Sequence, residues 1–202
     1  MNQRFLDIYF DTEFVCFKSL EPLSIGLVSF SDENLGAYFE RTDVDKALTK
    51  FSQPDKAFLS GDVVPQLGNM ELHKALQSRG VALQAGYLPQ ISKALHSYLA
   101  MLSNNAKSRR KSVRLISDFE GDFLVLDRLV DISAQKELGL CYAWLSDVLA
   151  QNRRGFPAYH AHKKALFDHP EKFVSGAQFK RHHAYFDAWV MAQAANAESS
   201  ES

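Results

Sequence analysis

The sequence predicts an α/β domain with a mixed central sheet, partly an antiparallel meander and partly parallel strands, flanked by helices. Three observations carry that expectation. RFLDIYF (4–10), LSIGLVSF (23–30) and LGAYFERT (35–42) read as three successive strands, the last two joined by the polar turn SDEN (31–34). LPQISKALHSYLAMLS (88–103) places Ile91, Leu95, Tyr98, Leu99 and Leu102 on one helical face. VRLIS (113–117) is a short buried strand that runs directly into the helical DFLVLDRLV. A meander followed by strands alternating with helices is the order that builds such a sheet.

The first strand needs its apolar run, and the second is apolar almost throughout, as expected at the sheet centre. A short helix is expected over 43–51, with Asp43 as its N-cap. Gly61, Pro65, Gly68, Gly80 and Gly86 then interrupt any regular pattern. NNAKSRRKS (104–112) reads as a polar, basic surface loop. Residues 134–151 have a helical pattern interrupted by Gly139. Residues 152–174, rich in Pro, Gly, His and Lys, read as loops with short helical turns. The last helix is expected over 182–197, and the tail 197–202 is expected to be disordered.

A chain of 202 residues, 46% hydrophobic and 23% charged, suits one globular domain, expected over residues 1–196. No apolar run is long enough for a membrane span, and the N-terminus lacks the pattern of a secretory signal. Cys16 and Cys141 have no disulfide or metal-site spacing, which suits two thiols in a reducing cytoplasm. The net charge of −1 gives no whole-molecule attraction for nucleic acid. Basic clusters nevertheless occur at Lys107–Arg114, Arg153–Arg154, Lys163–Lys164 and Lys180–His183.

Carboxylates mark the expected site. Asp11 and Glu13 stand two apart at the end of the first strand, so they share a face if the strand continues that far. Two like charges so close repel and raise each other's pKa unless a cation neutralises them. Mg²⁺ and Mn²⁺ take oxygen ligands of this kind. SDFEGD supplies Asp118 and Asp122 just past a buried strand; Asp118 also suits a helix cap. Asp187 stands in an otherwise mostly apolar helix and requires a partner there. His182 and His183 precede it, and a neutral imidazole serves as a general base near physiological pH.

Taken together, these motifs resemble the DEDD superfamily of 3′→5′ exonucleases, in its His-bearing branch, on the ribonuclease H-like fold. Asp11-Thr12-Glu13 matches the first motif. Asp122 matches the second, with Asp118 as a rival, because the chain has Ser117-Asp118-Phe119 in place of the usual His-Asn lead. His182-His183-Ala184-Tyr185-Phe186-Asp187 matches the third, His-x-Ala-x-x-Asp. The likeness spans about residues 5–195, with parallels in ribonuclease T, oligoribonuclease and small bacterial exoribonucleases. It implies two Mg²⁺ or Mn²⁺ ions held by Asp11, Glu13, Asp122 and Asp187, with His182 as base. Family spacing selects His182, whereas helix geometry alone favours His183, four before Asp187. The implied substrate is the 3′ end of single-stranded RNA, cut to nucleoside 5′-monophosphates, and the implied assembly is a homodimer. Alternatives are a DNA exonuclease or a nucleic-acid-binding module with a degenerate site. Thr12 and Phe14 are expected to grip the terminal nucleotide, Phe14 by stacking on its base, and Lys180 and Arg181 to meet phosphates.

Overall fold

In the computed structural model, the described residues are 4–16, 18–31, 35–49, 59–151, 155–173 and 179–197. Six strands form one mixed sheet: β1 (Phe5–Phe14), β2 (Pro22–Ser29), β3 (Ala37–Arg41), β4 (Ala82–Gly86), β5 (Ser112–Ser117) and β6 (Cys141–Trp144), in the order β4-β3-β2-β1-β5-β6. β1, β2 and β3 form the antiparallel meander. The pairs β1–β5, β5–β6 and β3–β4 are parallel. β1 therefore lies where the strand order turns, and ligands of open α/β sheets bind beyond strand ends at such points.

The alternation of β1 assigns its two faces. Leu6, Ile8 and Phe10 enter a core with the helices α3 (Leu88–Ser108) and α4 (Glu120–Leu129). Tyr9 enters the opposite core, beneath the C-terminal helix α8 (Ala184–Asn196). Asp11 and Glu13 continue the Tyr9 face and Thr12 the Phe10 face. α8 packs on β1 and β2 and is buried nearly all round. It approaches closely because β2 carries Gly26, paired with Asp11. A Cβ at Gly26 would lie 2.2 Å from Tyr185 Cα. Glycine in a strand often marks such an approach of backbone to backbone.

Several elements depart from expectation. The first helix is shorter, α1 (Val44–Leu48), and the Asp43 side chain makes no cap hydrogen bond. Its carboxylate instead accepts two bonds from the Arg41 guanidinium, at 2.9 and 3.0 Å. The glycine-punctuated stretch holds a π-helical turn (Leu59–Val63), a 3₁₀ turn (Val64–Gln66), helix α2 (Met70–Ser78) and β4. Asn69 caps α2, its side chain accepting from the Glu71 and Leu72 amides. α3 runs five residues beyond the expected end, so the basic segment is a helix terminus and tight turn, with Arg110 at φ 56°. Gly139, at φ 69°, ends helix α5 (Ile132–Leu138), and the strand β6 follows before α6 (Leu145–Gln151). Residues 156–167 form one helix, α7 (Phe156–Phe167), with a 3₁₀ turn at Pro170–Lys172 beyond it. Most of the 31–34 turn, the Arg153–Arg154 cluster and the tail from 198 lie outside the described residues. Among the described residues no helix is long and apolar enough to cross a membrane.

Candidate metal centre

The end of β1 brings Asp11 and Glu13 beneath the first turn of α8, which carries Asp187. The pairing of β1 with β2 shifts register between Glu13 and Phe14. Such irregularities re-aim side chains beside functional sites. Asp122 enters from the first turn of α4, on the other side of the strand end. Four carboxylates from three separate segments thus converge. Burial is the main reason that the Asp11 and Glu13 carboxyls lie well above the usual range. For Asp11 the charges of Asp122, Asp187, Glu13 and Asp118 add to it; for Glu13 those of Asp187 and Asp122 do. Burial likewise raises Asp187 to about 7, against the His182 amide, Lys163 and Arg181.

Asp187 is held by one oxygen only. Its Oδ2 accepts from the His182 amide at 2.9 Å, while its buried Oδ1 has no hydrogen-bond partner. An orphaned carboxylate oxygen in this setting is costly without a cation. Ligand atoms of Glu13, His182 and Asp187 lie within 4.8 Å of one another. The Glu13 and Asp187 oxygens are thus near the ~4 Å that separates opposite donors on one small divalent ion, with the His182 ring beside them. Hard oxygen donors predominate, so the residues present fit Mg²⁺ or Mn²⁺.

Asp122 is differently placed. It is 1% exposed, and its Oδ1 accepts from the Thr12 amide at 3.1 Å and the Thr12 hydroxyl at 2.7 Å. Its Oδ2 accepts from the Ser117 hydroxyl. Burial raises its pKa to about 6, the hydroxyl and amide donors acting in the opposite direction. Asp122 therefore ties α4 to β1 and keeps coordinating capacity chiefly on Oδ2. Asp118 stands at the rim, its Oδ2 accepting from Lys163 Nζ at 2.7 Å and from the Tyr159 hydroxyl at 3.4 Å.

The two adjacent histidines occupy opposite environments. His183 is the N-cap of α8, its Nδ1 accepting from the Phe186 amide at 3.4 Å. Its ring stacks on Tyr38 with centroids 4.7 Å apart and meets Phe179 edge-on. Burial lowers its pKa to about 3, so it stays neutral in the core. His182 precedes the helix with its backbone in the left-handed region, φ 66°. Its side chain is 36% exposed, and Nδ1 lies 3.8 Å from Glu13 Oε1. Partial burial, then Arg181, lower its pKa, while Asp62 opposes them.

The remaining expected contacts are set by the same framework. The Thr12 amide is committed to Asp122. Phe14 is half-buried against the α3–α4 core, its ring parallel to that of exposed Phe119 at 6.2 Å. Lys180 and Arg181 are exposed, with the Arg181 guanidinium over the Phe167 ring at 5.1 Å.

Sequence reasoning missed several residues that build the site. Gln66 is buried; its amide donates to the Arg181 and Asp62 carbonyls and accepts from the Lys180 amide, pinning the chain ahead of His182. Nothing in the 59–68 sequence points to that role. Gly26 was detectable as a lone glycine in an apolar strand. Tyr159 and Lys163 were detectable through Pro157 after Gly155, an N-terminal helix signal, followed by Tyr159, Lys163 and Leu166 at helical spacing. No family model, curated protein or solved structure matches the chain.

Proposed function

We propose that the chain is a metal-dependent 3′→5′ exoribonuclease, hydrolysing single-stranded RNA ends to nucleoside 5′-monophosphates. The observation that carries the reading is the convergence of Asp11, Glu13, Asp122 and Asp187, with Asp187 Oδ1 buried and unpartnered. Their mutual repulsion is a cost that bound divalent cations relieve. The likeness to the three DEDD motifs supplies the reaction class. The meander followed by parallel strands supports the ribonuclease H-like reading of the fold.

Asp11, Glu13 and Asp187 would hold the ions, with Asp122 contributing through Oδ2. Bound Mg²⁺ or Mn²⁺ would supply a water of lowered pKa and stabilise charge on the leaving oxygen. Asp122, through Thr12 and Ser117, fixes the end of β1 and so the aim of Asp11 and Glu13. His182, uncharged and partly open to solvent, accepts the water's proton on Nδ1, the nitrogen facing Glu13. The Asp187 bond to the His182 amide holds that ring at the mouth. Phe14, paired with Phe119, offers an aromatic surface to the terminal base. RNA is preferred to DNA, and a homodimer to a monomer, on the family likeness alone.

The test is digestion of 5′-end-labelled single-stranded RNA with Mg²⁺, with a matched DNA in parallel. Wild type is expected to shorten RNA from its 3′ end, releasing mononucleotides, and Asp11→Ala to leave it intact. Equal degradation by both proteins, or none by well-folded wild type with Mg²⁺ or Mn²⁺, overturns the reading. Faster cleavage of DNA would make the chain a DNA exonuclease using the same residues.

A further inference from the structure

Asp118 lies in the bend between β5 and α4, four residues before Asp122, and only Asp122 is buried in the strand–helix joint. Asp118 faces α7 across the rim. Lys163 and Asp118 form an ion pair at 2.7 Å, their side chains 24% and 31% exposed. Tyr159, one turn earlier on α7, is buried; its hydroxyl reaches the same Asp118 oxygen and its ring lies 5.6 Å from the Lys163 ammonium. The ammonium is thus anchored at two points. It also sits close enough to Asp187 to favour that group's charged form.

An isolated surface ion pair of this kind ordinarily contributes little to stability. Its position suggests a different use. A nucleic-acid chain entering the site brings phosphates toward a cluster of carboxylates, and a cation at the rim offsets the repulsion. An ammonium has three donors, of which Asp118 takes one. A lysine held in place before the ligand arrives loses less side-chain freedom on binding than a loose one. Arg181, reaching over Phe167 of α7, places a second cation beside the same helix.

We propose that Lys163 is a phosphate-binding residue, its ammonium pre-positioned by Asp118 and Tyr159 to contact a backbone phosphate beside the carboxylate centre. This rests on the nucleic-acid reading above and adds to it a contact on α7 that none of the three motifs contains.

The experiment measures binding of a fluorescein-labelled single-stranded RNA decamer by anisotropy across a salt series. Ca²⁺ replaces Mg²⁺, and RNA integrity is checked on a gel. Lys163→Gln is expected to bind about tenfold more weakly at low salt, as for loss of one charge-assisted hydrogen bond. Its slope of log affinity against log salt is expected to fall by about 0.7, the value of one single-strand phosphate contact. Lys163→Arg is expected to keep both. The charge-balanced double variant Lys163→Gln/Asp118→Asn separates the proposal from a structural role. If it stays weak with the shallower slope, Lys163 touches phosphate; if it regains wild-type affinity and slope, Lys163 merely neutralises Asp118 and the proposal fails. Wild-type binding matched by Lys163→Gln also defeats this proposal and leaves the exoribonuclease reading standing. A wild type that neither binds nor degrades RNA removes both.

Discussion

At the scale of single residues, His182 and His183 separate two roles that their identity and adjacency conceal. His183 caps α8 and is stacked in the core, whereas His182 faces the carboxylates. His182→Ala should therefore lower kcat by about 10²- to 10⁴-fold, the range for a lost general base, with an unchanged melting temperature. His183→Ala should instead cost about 1–3 kcal/mol of stability in urea denaturation, through a cavity and a lost cap. A folded His183 variant with the larger loss of activity would contradict the assignment. The sequence leaves this pair ambiguous because the left-handed turn at His182 has no residue signature; a glycine or asparagine there would have announced it. The same holds for Asp118 and Asp122. Their spacing was legible, but which one is buried depends on Ser117 and Thr12, whose hydroxyls mark no site by themselves.

At the scale of elements, the centre of the sheet was legible and its edges were not. β1, β2 and β5 are buried enough to write apolar runs into the sequence. β4 and β6 are edge strands with largely exposed side chains, so periodicity carries almost no trace of them. Burial on both sides also explains why LSIGLVSF read as a strand while the function of its glycine did not emerge. Gly26 allows the first turn of α8 to lie directly on β2, which brings Asp187 to the end of β1. Gly26→Ala must push helix and sheet apart. The expected cost is about 3 kcal/mol or more, at the upper end for overpacking, measured by chemical denaturation. Calorimetry should show weakened Mn²⁺ binding by the same variant at a temperature where it stays folded. Unchanged stability and Mn²⁺ affinity would mean that α8 does not need this close approach.

At the scale of the whole molecule, the buried carboxylates couple stability to pH, and the proposed function predicts a further coupling to divalent cations. Buried Asp122 and Asp187 titrate near 6 and 7, against 3.8 for an ordinary aspartate. The folded state therefore retains protons that the unfolded chain releases as pH rises above about 4. The stability these groups contribute is fully present below that pH and is lost as pH rises through 6 and 7. His183 acts in the opposite direction: held near 3, below its usual 6.5, it weakens the fold as pH falls through 6.5 and on toward 3. Comparing Asp187→Asn with wild type cancels the His183 contribution. Without metal, thermal melts should show the variant gaining on wild type between pH 5 and pH 8. Saturating Mg²⁺ or Mn²⁺ should reverse that order at pH 8, because only wild type retains the full ligand set. A difference independent of both pH and metal would show that Asp187 does not carry the buried charge assigned to it.

The central claim is that the carboxylates at the end of β1 exist to hold divalent cations. Anomalous diffraction from a crystal of the wild-type protein soaked in Mn²⁺ tests it most directly. The account predicts two strong peaks bounded by Asp11, Glu13 and Asp187, and their loss in Asp11→Ala. Manganese bound elsewhere with none at this centre, or peaks that persist unchanged in Asp11→Ala, would contradict it.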